Sequence, residues 1–158
     1  MTAKNPPNEA ATTKIDWPTL IAAATQAREG AYAPYSRFQV GAALLTEDGT
    51  IVPGCNVENR SYGLCLCAER LAVSRAVSEG HHDFVAIAVV TDCSPPGMPC
   101  GMCLETLSEF APDLPVLCAN PEGEQRIHTL RQLHPTPFEW PEELPLGGDG
   151  VARSDLGG

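Results

Sequence analysis

The chain has 158 residues, 43% of them hydrophobic, with a formal net charge of −10, which allows one domain with a substantial core. Only ten lysines and arginines are present, too few for a strong basic face, so nucleic acid is disfavoured as a substrate and a small neutral or cationic molecule fits better. No apolar run approaches the ~20 residues of a membrane span, and Met1 to Thr13 hold no apolar signal region, so a cytoplasmic location is expected.

Residues 1–14 are rich in Thr, Asn, Ala and Pro and read as a flexible leader; residues 141–158 hold five glycines and two prolines and read as a disordered extension. The domain is then 15–140. Asp16, with Pro18 in the first turn, predicts a helix running to about residue 28 and ended by Gly30. Residues 38–45 and 50–54 read as strands around the turn Glu47-Asp48-Gly49, and 55–66 as a loop. Residues 67–78 predict a helix whose apolar stripe is Ala68, Leu71, Ala72, Ala76 and Val77, with Gly80 stopping it. The continuous apolar run 84–91 predicts a strand covered on both faces. A Pro/Gly loop over 92–99, a helix over 101–110, a short strand over 115–119 and a last strand or helix over 127–133 complete the chain. The order α-β-β-α-β-α-β-(α) implies an α/β fold, a mixed β-sheet flanked by helices.

Seven cysteines is a high and odd number for a reducing compartment, and their spacing outlines no disulfide framework. Three of them fall in two short clusters, Cys67-Ala68-Glu69 and Pro99-Cys100-Gly101-Met102-Cys103, each at the predicted start of a helix. Three thiolates holding one zinc ion, with the fourth position open to water and a carboxylate nearby for protons, is a catalytic arrangement. The ligand-x-Glu and Pro-Cys-x-x-Cys pair is also a known signature of zinc deaminases. Helix N-termini favour the thiolate form, and Arg70 is placed to donate to a ligand sulfur. A redox pair or half of a structural zinc site are the plainer readings of a Cys-x-x-Cys. A structural site would recruit Cys65 as a fourth ligand, but Cys65-x-Cys67 lacks the usual spacing of two to four residues. Cys55, Cys65, Cys93 and Cys118 read as ordinary thiols.

Further stretches carry a resemblance: Ala33-Pro34-Tyr35-Ser36, the run from Phe38 to Leu45, Gly54-Cys55-Asn56-Val57-Glu58-Asn59, Cys67-Ala68-Glu69-Arg70, Ala76-Val77-Ser78-Glu79-Gly80 and Pro99-Cys100-Gly101-Met102-Cys103. Together they make the chain resemble the small, homotetrameric, zinc-dependent cytidine deaminases that salvage free nucleosides. The resemblance implies a three-layer α/β/α fold and one zinc per chain on Cys67, Cys100 and Cys103. It implies that Glu69 moves protons between the attacking water, ring N3 and the leaving ammonia. Asn56 and Glu58 would bind the sugar 3'-hydroxyl, Phe38 would lie beside the pyrimidine, and the Ala68 backbone would read the base edge. Phe138 aligns with an aromatic that a neighbouring subunit lays over the base, and Tyr62 resembles another interface residue.

The chain departs from the pattern after Cys103, where Leu104 and Glu105 replace the family's usual Arg-Gln. Glu105 is expected to pair with Arg70 and reduce the positive charge that Arg70 lends to sulfur. The expected activity is deamination of cytidine and 2'-deoxycytidine. A deaminase of modified cytosine nucleosides, such as blasticidin S or N4-substituted cytidines, shares the same chemistry. A non-catalytic zinc-stabilised interaction module is opposed by the presence of Glu69, and a nucleic-acid-editing deaminase by the acidic charge.

Overall fold

The computed structural model describes residues 15–139; the expected leader and tail lie outside them. Helix α1 (Trp17–Glu29) begins where Asp16 accepts hydrogen bonds from the Thr19 amide (3.2 Å) and hydroxyl (2.7 Å). Strands β1 (Val40–Thr46) and β2 (Ile51–Cys55) form a hairpin. Its turn is closed by Asp48, which accepts from the Thr46 hydroxyl and the Thr50 amide, and by Gly49 at φ +85°. Helix α2 (Ala68–Ser78), strand β3 (Phe84–Thr91), helix α3 (Gly101–Ser108) and strands β4 (Pro115–Ala119) and β5 (Gln125–Thr129) come next. The one-turn helix α4 (Leu130–Leu133) opens on a reciprocal cap between Thr129 and Gln132. The stretch 127–133, expected as strand or helix, is therefore the end of β5 followed at once by α4. The first predicted strand starts two residues late, at Val40 rather than Phe38, and α3 stops at Ser108 rather than 110. No helix among the described residues is long and apolar enough to cross a membrane.

The sheet order is β2-β1-β3-β4-β5, with β3 and β4 parallel and every other pair antiparallel. Side chains alternate between two cores, as a pleated strand requires. Ala42 and Leu44 of β1, Ile87 and Val89 of β3, and Val116 and Cys118 of β4 face α2 and α3. Ala43, Ala86, Ala88, Val90, Leu117 and Ala119 face α1. Helices on both faces of a mixed sheet give the three layers.

Two glycines set how closely the helices approach. A Cβ on Gly41 would fall 1.9 Å from the Ala24 carbonyl oxygen of α1. A Cβ on Gly54 would fall 2.4 Å from the Ala68 carbonyl oxygen and 2.6 Å from the Ala72 nitrogen, both in α2. These are backbone atoms and cannot swing aside, so a side chain there must push the helix away from the sheet. Gly54→Ala is expected to lose ~1–3 kcal/mol, the usual cost of overpacking. Urea unfolding monitored by circular dichroism checks this; an unchanged midpoint would contradict the close docking of α2.

Candidate active site

Because β2 and β3 are each antiparallel to β1, they run in the same sense as one another, and β4 runs parallel to β3. The connections leaving β2 and β3 therefore start at the same edge of the sheet, and α2 and α3 both begin there. Cys67 is the N-cap of α2 and Cys100 the N-cap of α3, both in extended conformation. Neither thiol closes a cap hydrogen bond to its own helix; the sulfurs face each other instead, at 3.8 Å. Cys103, one turn into α3 and fully buried, lies 3.6 Å from Cys100 through its Sγ. All three sulfurs fall within 4.8 Å of one another, forming the metal-ligating cluster found among the described residues.

The spacing fits zinc. Two sulfurs at ~2.3 Å from a tetrahedral Zn(II) stand about 3.8 Å apart. The Cys67–Cys100 and Cys100–Cys103 sulfurs are separated by 3.8 and 3.6 Å. Cys65 is engaged elsewhere: its Sγ receives the Asn59 amide at 3.3 Å. Arg70 donates to the Cys65 carbonyl (2.9 Å) and approaches the Cys67 sulfur at 3.8 Å. A hydrogen bond from Cys103 is the main influence holding the Cys67 thiol at about 5, with Arg70 assisting. The same contact, followed by burial, pushes the Cys103 thiol far above the ordinary range. Cys118, on β4, is pushed up to about 12 by burial and belongs to the core.

Glu69 sits in the first turn of α2 and is 5% exposed. Burial is the main influence that raises its pKa above the usual carboxylate value, and the neighbouring Cys67 charge adds to it. It borders a cavity of about 310 Å³ at the carboxyl end of β3, within the range of small-molecule sites. Phe38, Asn56, Glu58, Cys67, Ala68 and Cys100 line the same cavity, so the structure gathers most of the expected site residues in one place.

Asn56 and Glu58 have a structural duty that the sequence did not reveal. Asn56 accepts from the Val40 amide and donates to the Phe38 carbonyl, both at 2.8 Å, and so holds residues 38–40 where the predicted strand was expected to begin. Glu58 accepts from the Ser36 hydroxyl and from the amides of Tyr35 (2.9 Å) and Ser36 (3.2 Å). The Ser36 hydroxyl leads these donors in lowering its pKa. Each side chain keeps unused hydrogen-bonding capacity.

Tyr62 and Phe138 lie apart from both the cavity lining and the thiol cluster. Tyr62 is 74% exposed, its ring packed edge-on to Tyr35 with 6.0 Å between centroids. Phe138 is 64% exposed. The expected pairing of Glu105 with Arg70 is not formed: Glu105 bonds His134 Nε2 at 2.6 Å, while Arg70 points at Cys65 and Cys67. Thr91 is a participant that sequence reading missed. Buried at the end of β3, it accepts the Gly97 amide at 2.8 Å and shapes the loop that delivers Cys100. Its only signal is a polar residue closing an apolar strand. A second depression, of about 320 Å³ and lined by Asp48, His81, His82 and Asp83 among others, lies beyond the far end of α2, away from the thiols.

The family model described as the cytidine and deoxycytidylate deaminase zinc-binding region matches residues 17–118. The chain belongs to this family. A cytidine deaminase of Halalkalibacterium halodurans is 52% identical over 125 residues, covering 78% of this chain and 95% of that protein. Among solved structures, a cytidine deaminase from Burkholderia pseudomallei superposes with a TM-score of 0.76 at 48% identity, covering 78% of this chain and all of that one. One from Mycobacterium tuberculosis gives 0.70 at 45% identity, covering 80% of this chain and 99% of the other. Both agree with the mixed sheet flanked by helices. The family is zinc-binding, and the thiol cluster of this deaminase-family chain can hold that ion.

Zinc uptake should be coupled to proton release. At neutral pH the metal-free protein keeps the proton on Cys103, whose pKa is raised, and a thiol must lose its proton to bind metal. Binding zinc to the metal-free chain at pH 7 should therefore expel at least one proton, and affinity should fall as pH drops. Calorimetry in two buffers of different ionisation enthalpy measures this; identical heats would refute it.

Proposed function

We propose that the chain catalyses hydrolytic deamination of cytidine and 2'-deoxycytidine to uridine and 2'-deoxyuridine, consuming one water and releasing ammonia. The observation that carries this reading is a buried carboxylate, Glu69, beside three convergent thiols, two of which line the same nucleoside-sized cavity. In this reading Cys67, Cys100 and Cys103 hold one zinc ion per chain. When bound, zinc acts as a Lewis acid that activates water for attack on the ring carbon bearing the amino group.

The chain's own residues then do the rest. Glu69 takes a proton from the attacking water and gives it to ring N3, then takes the second from the hydroxyl newly bound to the ring carbon and gives it to the departing amine; burial raises its pKa, which suits a carboxyl that must hold each proton in transit. Arg70 donates toward the Cys67 sulfur and draws off part of the thiolate charge. Ala68, the first residue of α2, has an amide with no partner inside its own helix, and that amide reads the base edge. Phe38 lies along the pyrimidine. Asn56 and Glu58 use their remaining hydrogen-bonding capacity on the sugar 3'-hydroxyl, from positions already fixed by residues 35–40.

The assembly proposed is a homotetramer acting in the cytoplasm on free nucleosides. Tyr62, Leu64 and Met102 are 74%, 70% and 60% exposed, an amount of bare apolar surface that suits subunit contacts. Phe138 of one subunit would cover the base in another, where excluding water favours the chemistry. Modified cytosines are the alternative substrates with the same reaction.

Glu69→Gln should keep zinc and fold and lose at least ~100-fold in turnover, the low end of general acid-base effects. An ultraviolet assay with zinc quantified in the same sample tests this, and near-normal turnover would remove Glu69 from the mechanism. In the same assay, free cytosine should be turned over poorly, because without a sugar it forgoes the hydrogen bonds that the remaining capacity of Asn56 and Glu58 would supply. Equal rates on cytosine and cytidine would end the sugar-reading role. Blasticidin S consumed in preference to cytidine would favour the alternative substrate class.

A further inference from the structure

The two departures from the family pattern, Leu104 and Glu105, lie on α3, the helix that also carries Cys103. Leu104 is half-buried and packs against the same core as Leu133 of α4. The Glu105 carboxylate reaches the segment just beyond α4. His134, the C-cap of α4, bonds Oε2 through Nε2 at 2.6 Å. The Phe138 amide donates to Oε1 at 3.2 Å and to Oε2 at 3.3 Å. These partners are 29 and 33 positions away in the chain, so the contacts tie together two distant segments.

The chemistry of that segment makes the tie consequential. Pro135 and Pro137 have no amide hydrogens and restrict φ, so residues 134–138 have few donors with which to anchor themselves. Both anchored points meet one carboxylate. Glu105 takes hold of residue 138 at its backbone amide, and Phe138 is 64% exposed.

We infer that Glu105 is a positioning residue: together with His134 it clamps residues 134–138 onto α3, so that the Phe138 ring is presented to the nucleoside cavity of a second copy of this chain. This rests on the reading of Phe138 as the aromatic covering a neighbour's base. A ring whose backbone is already fixed loses less conformational freedom when it closes on a pyrimidine, so the clamp favours nucleoside binding without touching the reacting atoms. The Leu104-Glu105 pair thus has a role other than tuning the thiols: leucine packs beside α4, and glutamate hooks the segment beyond that helix.

The test uses the full-length zinc-loaded chain and five variants: Glu105→Ala, Glu105→Gln, His134→Ala, Phe138→Ala and the double variant Glu105→Ala/Phe138→Ala. Zinc content, steady-state cytidine kinetics and hydrogen exchange at the Phe138 amide are measured for each. Phe138→Ala should raise KM by roughly 5-fold or more, the low end of base-aromatic stacking. Glu105→Ala and His134→Ala should each raise KM by roughly 2-fold or more, with full zinc, little change in kcat and faster exchange at the Phe138 amide. Glu105→Gln, which keeps an acceptor, should recover part of the loss. In the Phe138→Ala background, Glu105→Ala should add nothing, because a positioning residue has no effect once the group it positions is gone.

An equal KM rise from Glu105→Ala in both backgrounds would overturn the clamp. So would a KM rise from Phe138→Ala with none from Glu105→Ala or His134→Ala; the covering role of Phe138 would then stand alone. No change in KM for Phe138→Ala would overturn the covering role and the clamp's purpose with it. Should Glu105→Ala fail to fold, His134→Ala, which lies off the metal-bearing helix, decides by the same readouts.

Discussion

The site depends on two helices beginning at one place. Strands β2, β3 and β4 run in the same sense, so the chain leaves β2 and β3 at a common edge, and both α2 and α3 start beside it. The start of a helix is where backbone amides lack intrahelical acceptors and the dipole favours negative charge. Placing Cys67 and Cys100 at those two starts puts thiols where their ionised form is most easily tolerated. Gly54 makes the convergence close: with a side chain at that position α2 could not lie against β2, and Cys67 and Glu69 would move with it.

Charge around this point is held in balance. Three thiolates on a divalent ion leave a formal excess of one negative charge, and Arg70 is the cation directed at the Cys67 sulfur. Glu105 does not cancel it, because its carboxylate is engaged by His134 and the Phe138 amide. The two acidic side chains near the metal-bearing helices therefore have separate environments. Glu69 is buried and raised in pKa, as the proposed proton transfer requires. Glu105 is half-buried and held low, chiefly by the hydrogen bond from His134, as the inferred anchor requires.

Across the cavity, preorganisation comes from side chains with two tasks. Asn56 completes the hydrogen bonding of residues 38–40 in place of a neighbouring strand, and Glu58 gathers the amides at 35 and 36 together with the Ser36 hydroxyl. A group fixed by such bonds before a ligand arrives has little freedom left to lose on binding. The same bonds place Phe38 at the cavity wall, although the residue remains 41% exposed.

Most of the architecture was legible in the sequence because its signals are local. The Asp16 cap, the Asp48-Gly49 turn, the unbroken apolar run of β3 and the two cysteine clusters depend on neighbouring residues, and each stands where it was expected. The thiol cluster that can hold a metal was readable for the same reason: Cys-x-x-Cys and Cys-x-Glu at helix starts carry their chemistry in their spacing. What only the tertiary structure decided involves partners far apart in the chain. Glu105 lies within reach of Arg70 when helix positions alone are considered, yet it pairs with His134 because α4 packs against α3. The hold of Asn56 on Phe38 and Val40, and of Thr91 on Gly97, likewise arises from how loops pass one another at the sheet edge. Hydrophobic periodicity specifies which face of an element is buried; it contains no information about which polar group will find which partner once the layers close.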